Sequence, residues 1–253
     1  MQETLPHLLP SAEPQKTDTR KFDPREALIV ALDVSTAAAA AKIVAAVGDS
    51  AHTYKVGMQL YTAEGPPVVR GLVTSGRRVF LDLKYHDIPT TVAAAVREAA
   101  QLGVSMLTVH AAGGARMLRA ATDAARAINP ALLVLGVTVL TSLDENDLEK
   151  VGLPGTVRDQ VLRLAALALA NGCQGIVASA REASTLRTEL GGAFAIVTPG
   201  IRPAGTSQGD QARIVTPAEA IAAGASYIVV GRPITEAADP AAEARAILKQ
   251  IRS

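Results

Sequence analysis

Eight times in succession the chain sets a short, continuously apolar run ahead of a helical stretch. The apolar runs are Ala27–Leu32, Thr53–Val56, Val79–Leu83, Met106–Val109, Leu132–Val137, Gly175–Ala178, Ala195–Thr198 and Tyr227–Val230. The helical stretches fall at 36–47, 64–75, 90–102, 114–128, 156–171, 180–190, 216–223 and 240–251. Strands that are apolar on both faces belong to parallel sheets whose crossover helices cover them. Eight such units in 253 residues predict an α/β fold of one kind, a single-domain (β/α)8 TIM barrel. A doubly wound open sheet is the alternative, but it requires no count of eight. Residues 26–253 show no internal boundary and are expected to form the barrel. Residues 1–25 are rich in Pro, Thr and charge without periodicity, and are expected to be a flexible arm.

The polar residues then fall into a second pattern. Asp33 follows the first run, Lys55 and Gly57 close the second, and Asp82 with Lys84 closes the third. His110 follows the fourth, Thr138 and Thr141 the fifth, Ser179 the sixth, Pro199-Gly200-Ile201-Arg202 the seventh and Gly231-Arg232 the eighth. All lie at C-terminal ends of strands. In a barrel those ends meet at one mouth, where active sites are built.

The densest charge lies in Val79–Val92, VFLDLKYHDIPTTV. Side chains alternate along a strand, so Phe80, Asp82 and Lys84 share one face while Leu81 and Leu83 take the other. Asp87 follows beyond the expected strand end, and Pro89 suits the first turn of the next helix. Charges among apolar neighbours need partners, and a carboxylate-lysine-carboxylate row is an arrangement that general acid catalysis can use. A structural ion pair capping the strand accounts for it equally well.

Other positions carry competing readings. Asp33 could cap the following helix, as Ser35 or Thr36 could. Lys55, inside an apolar strand, needs a partner, and Asp82 on the neighbouring strand is available. A lone histidine such as His110 is more often a hydrogen-bonded structural residue than a catalyst. Ser142 with Glu145 fits a capping box, leaving Thr141 free to face the mouth. TPGIRP and VGRPI each join a glycine to an arginine suited to bidentate phosphate contact, and barrels frequently bind phosphate at the last two loops. Gln211, in the polar loop from Pro203 to Gln211, could close over that phosphate.

The formal net charge of +1 gives no global reason to expect nucleic acid as a partner. Cys173 is the only cysteine, which excludes a disulfide framework and a cysteine zinc site and suits a reducing compartment. No apolar run reaches the ~20 residues that a membrane span needs, and no export signal is apparent, so a cytoplasmic protein is expected.

ALD, KVGMQLYTAEGP, DLKYHDIPTTV, VHAAGG, VTVLTS, VTPGIRP and VVGRPIT together resemble the orotidine 5'-phosphate decarboxylase family, from about Ala27 to the last helix. D-x-K-x-x-D-I-P-x-T is the specific part of that resemblance. It implies loss of CO2 from orotidine 5'-phosphate to give UMP in pyrimidine synthesis, without cofactor or metal. It further implies Lys84 as proton donor to C6, with Lys55, Asp82 and Asp87 completing the charged network. Asp33, Lys55 and Asp82 are implied as substrate contacts, the first two at the ribose, and Thr141 at the pyrimidine. Arg202, Gln211, Gly231 and Arg232 would grip the phosphate. Asp87 and Thr91 would reach the partner's site in a homodimer. Related phosphosugar barrels with a D-x-K-x-x-D strand, which are metal-dependent, are the nearest enzymatic rival, and a nucleotide sensor is the non-enzymatic one.

Overall fold

A computed structural model describes residues 24–192, 194–203 and 215–252. Its strands are β1 (Leu28–Ala31), β2 (Thr53–Gly57), β3 (Arg78–Tyr85), β4 (Met106–His110), β5 (Leu133–Val137), β6 (Gly175–Val177), β7 (Ala195–Thr198) and β8 (Tyr227–Val230). They pair in sequence order, and β8 pairs in parallel with β1 to close the barrel. The expected arm lies outside the described residues except for its last two, which open a short helix, Pro24–Ala27.

Alternation along the strands divides the core in two. Ile29, Ala31, Phe80, Met106, Leu135, Val197 and Val229 pack together inside the barrel. Leu28, Val30, Leu81, Leu107 and Val134 point outward and meet the helices in a second, larger core. Helix Pro89–Gln101 shows how that outer layer forms. Its buried residues Val92, Val96, Ala99 and Ala100 recur at helical spacing on one face. Each valine enclosed in this way contributes on the order of 1.5 kcal/mol.

Three local expectations are corrected. The helix expected at 64–75 forms over Pro66–Thr74, but a further helix, Met58–Glu64, precedes it, and Gly65 at φ 67° separates the two. Only glycine adopts that backbone without strain, and proline then pre-sets the new start. The capping box after β5 is not Ser142 with Glu145. Asp144 caps Glu145–Lys150 and Asp147 returns the bond to the Asp144 backbone. Third, β3 runs two residues past Leu83 and loses register against β4: Leu81 faces Leu107, but Tyr85 faces Val109.

Candidate active site

That irregular stretch of β3 holds the centre of the site. Lys84 has a φ of 51°, the left-handed region that side-chain-bearing residues seldom occupy and that costs about 1–3 kcal/mol. Its ammonium nevertheless lies 2.9 Å from Asp82 Oδ1 and 3.0 Å from Oδ2. The two side chains are only 27% and 14% exposed, so the pair is held largely away from water. An enclosed ion pair adds little stability over apolar residues of the same volume, which favours a chemical reason for it.

Thr108 completes the cluster. It is fully buried on β4 and shares the inward parity of Met106. Its hydroxyl accepts from the Lys84 backbone N–H at 2.9 Å and donates to Asp82 Oδ1 at 3.0 Å. The sequence reading did not single it out, since one threonine in an apolar strand reads as filler. Its inward parity on the strand next to β3 was the available signal.

On the opposite flank Lys55 pairs with Asp33 at 2.8 Å, not with Asp82 as expected. Lysine on β2 has a strand on either side, and β1 presents its carboxylate closer. The helix cap there is Thr36, which leaves the Asp33 side chain to the lysine. Gly57 makes room for this pair, because a Cβ at that position would stand 3.0 Å from Lys55 Nζ and 3.4 Å from Asp33 Oδ1. Helix Met58–Glu64 fixes the Asp33 loop through two further bonds. Gln59 donates to the Ser35 hydroxyl at 2.9 Å, and Glu64 accepts from the Ala37 N–H at 2.8 Å.

Asp33, Lys55, Asp82, Lys84, Thr141, Arg202, Gly231 and Arg232 all line one cavity of about 580 Å³ at the C-terminal ends of the strands. Val137, Val139 and Leu140 give it an apolar wall, and Phe80 with Val229 closes its floor. Gly200, at φ 77°, turns the loop after β7, and Ile201 then bridges to Val215. The Arg202 N–H donates to the Val215 carbonyl at 3.1 Å, which anchors a side chain that is 8% exposed. Arg232 opens the short helix Arg232–Thr235 directly after Gly231. The cavity thus combines lysines, arginines and carboxylates with an apolar wall.

Several expected residues stand elsewhere. Within one chain Asp87 is exposed and does not meet Lys84; its carboxylate accepts from the neighbouring Ile88 N–H. Thr91 is exposed on the same turn and does not line the cavity. Thr138 is buried and donates to the Val177 carbonyl at 2.9 Å, joining β5 to β6. The Ser179 backbone N–H donates to Glu182 at the start of helix Ala180–Leu190. Gln211 lies outside the described residues. His110 was expected to be hydrogen-bonded, but its buried Nδ1 has no partner among the described residues, and its ring stacks on His86 at 5.2 Å. Burial lowers its proton affinity, and His86 and Lys84 lower it further.

Charged groups at the ends of five strands around one cavity, over a packed barrel floor, make this a (β/α)8-barrel enzyme with its site at the C-terminal rim. The chain belongs to the orotidine 5'-phosphate decarboxylase / HUMPS family, whose model matches residues 26–247. Orotidine 5'-phosphate decarboxylase of Moorella thermoacetica is 52% identical over 233 residues, covering 90% of this chain and 92% of that protein. The enzyme of the same name from Anaeromyxobacter dehalogenans is 54% identical over 224 residues, covering 88% and 97%. The crystal structure of orotidine 5'-phosphate decarboxylase from Lactobacillus acidophilus superposes with a TM-score of 0.82 at 39% identity, covering 90% of this chain and all of that one.

Proposed function

We propose that this chain is a carboxy-lyase that converts orotidine 5'-phosphate to UMP and CO2 in pyrimidine biosynthesis, with Lys84 protonating C6. Breaking the bond between C6 and its carboxylate leaves an electron pair in the plane of the ring, where the π system cannot delocalise it. A cation already in place must meet that charge. Lys84 Nζ, anchored by both oxygens of Asp82, is that cation. It donates a proton to C6 as CO2 departs and regains one from solvent. Asp82 also stands where the substrate carboxylate would approach, which adds repulsion in the ground state.

The rest of the cavity suits the rest of the substrate. Asp33 and Lys55 offer an acceptor and a donor to the ribose hydroxyls, Thr141 serves the pyrimidine edge, and Val137 with Val139 covers the ring. Arg202 and Arg232 match a phosphate, assisted by the Gly231 backbone and by Gln211. Phosphate held far from C6 supplies binding energy that orients the reacting carbon.

The single observation that carries this reading is Lys84, chelated by one carboxylate, lining the same cavity as two arginines. The reaction as proposed uses no cofactor or metal. Residues 26–253 act as the catalytic domain of a cytoplasmic homodimer that binds a small substrate and has no nucleic-acid or membrane partner. No helix among the described residues is long and apolar enough to cross a membrane. Asp87 and Thr91 complete the partner's site; both are exposed beside Ile88, a large apolar side chain 64% open to solvent. The test is CO2 release from orotidine 5'-phosphate by the purified chain in the presence of a chelator. Turnover that required added magnesium would instead favour the metal-dependent phosphosugar chemistry of related barrels.

A further inference from the structure

Thr108 touches both members of the central ion pair through one oxygen. A hydroxyl has one proton to give and two lone pairs, so accepting from Lys84 N–H and donating to Asp82 Oδ1 are compatible. Asp82 Oδ1 in turn accepts from Lys84 Nζ at 2.9 Å. The result is a closed circuit running from the Lys84 backbone through Thr108 and Asp82 to the Lys84 ammonium. Each bond in it answers a specific difficulty. The left-handed backbone of Lys84 would relax unless its N–H were held, and β4 offers no regular ladder bond there because register is lost between Leu81 and Tyr85. The Asp82 carboxylate would swing unless one oxygen were fixed, and the ammonium would follow it.

We infer that Thr108 is a positioning residue for the decarboxylation: its hydroxyl locks the Lys84 backbone and the Asp82 carboxylate together, so that the ammonium is aimed before substrate arrives. Thr108 does not line the cavity, so it acts only through these two groups. The inference rests on Lys84 being the proton donor. It separates geometry from binding, because this hydroxyl bonds to Lys84 and Asp82 while Lys55 pairs with Asp33.

The experiment compares Thr108→Val, Thr108→Ala, Thr108→Ser, Lys84→Ala and the double variant Lys84→Ala/Thr108→Val in the full-length protein. It reads kcat and KM for orotidine 5'-phosphate, the Kd of UMP, and Tm. Valine matches threonine in shape without the hydroxyl, and alanine guards against a clash with Asp82 from the extra methyl. Misplacing a catalytic group by about 1 Å can lower rate by roughly 10²-fold, so Val and Ala should drop kcat by that order with UMP Kd changed less than about threefold. Serine, which keeps both bonds, should stay within a few-fold of wild type, and in the Lys84→Ala background the Val substitution should have no further effect on residual turnover. Wild-type kcat in Thr108→Val, or serine no better than valine, would overturn the inference, as would loss of UMP affinity in step with kcat. If Lys84→Ala itself retained full turnover, the donor assignment would fall, and this inference with it. An inactive Lys84→Ala beside an unaffected Thr108→Val removes the positioning role alone.

Discussion

Lys84 Nζ lies 2.9 Å from Asp82 Oδ1 across a stretch where β3 departs from its pairing with β4. The two residues are two positions apart and share a strand face, and the contact is made although Lys84 holds a left-handed backbone that ordinary strand geometry does not supply. Strain of this kind persists where surrounding bonds over-determine it, and such places concentrate at functional sites.

Lys84→Ala removes the cation without touching the arginines of the cavity. General acids typically contribute about 10²–10⁴-fold, and loss of charge stabilisation adds to that, so turnover should fall by at least about 10³-fold. UMP should still bind, since its phosphate and ribose contacts lie elsewhere. Steady-state assay paired with calorimetric titration of UMP checks both halves, and unchanged turnover would refute the assigned role.

Arg232→Ala tests the phosphate end. A charge-assisted hydrogen bond contributes about 1.5–3 kcal/mol, which corresponds to a loss of roughly 10- to 100-fold in kcat/KM. The control is the nucleoside orotidine, which has no phosphate. If the substitution weakened turnover of orotidine as much as that of its phosphate ester, the arginine would not be reading phosphate.

Much of this was legible in the sequence, and the failures have physical causes. Eight strand positions and the convergence of Asp33, Asp82, Lys84, Arg202 and Arg232 on one mouth follow from periodicity and from where parallel strands end. The choice of Asp33 by Lys55 did not follow, because a lysine between two carboxylate-bearing strands selects by distances that only the closed barrel sets. Neither did the cap at Asp144, since Ser142 and Asp144 present equivalent chemistry two residues apart. Thr108 was hidden because its role is defined by two partners 24 and 26 residues away. The position of Asp87 tests the limit of a single chain: its motif places it with Lys84, whereas one chain leaves it exposed.

His110 should give the protein a measurable sensitivity to mild acid. Burial, then His86, then Lys84 lower its pKa from the ordinary 6.5, so between that value and the folded-state pKa the unfolded chain binds more protons than the folded one. Its contribution to stability is therefore fully present above 6.5 and is lost as pH falls towards the lowered value. Melting temperatures at about pH 7.5 and pH 5.5 should differ less in His110→Asn than in wild type. An identical acid-induced drop in both proteins would show that His110 titrates alike in both states.

Asp87 and Lys84 provide the sharpest test of the proposed dimer. If Asp87 serves the partner's site, then Asp87→Ala and Lys84→Ala homodimers are each inactive for different reasons, and neither can be rescued by more of itself. In a hybrid, one site receives the intact Lys84 of the first subunit and the intact Asp87 of the second, while the other site carries both defects. Random exchange in an equal mixture makes about half the dimers hybrid, with one sound site of two, so activity should rise to about a quarter of wild type. Exchange is followed independently by mass-tagging one variant. Hybrids formed in the expected proportion but devoid of turnover would mean that Asp87 acts within its own chain, and the loop from His86 to Pro89 would then have to move to bring its carboxylate to Lys84.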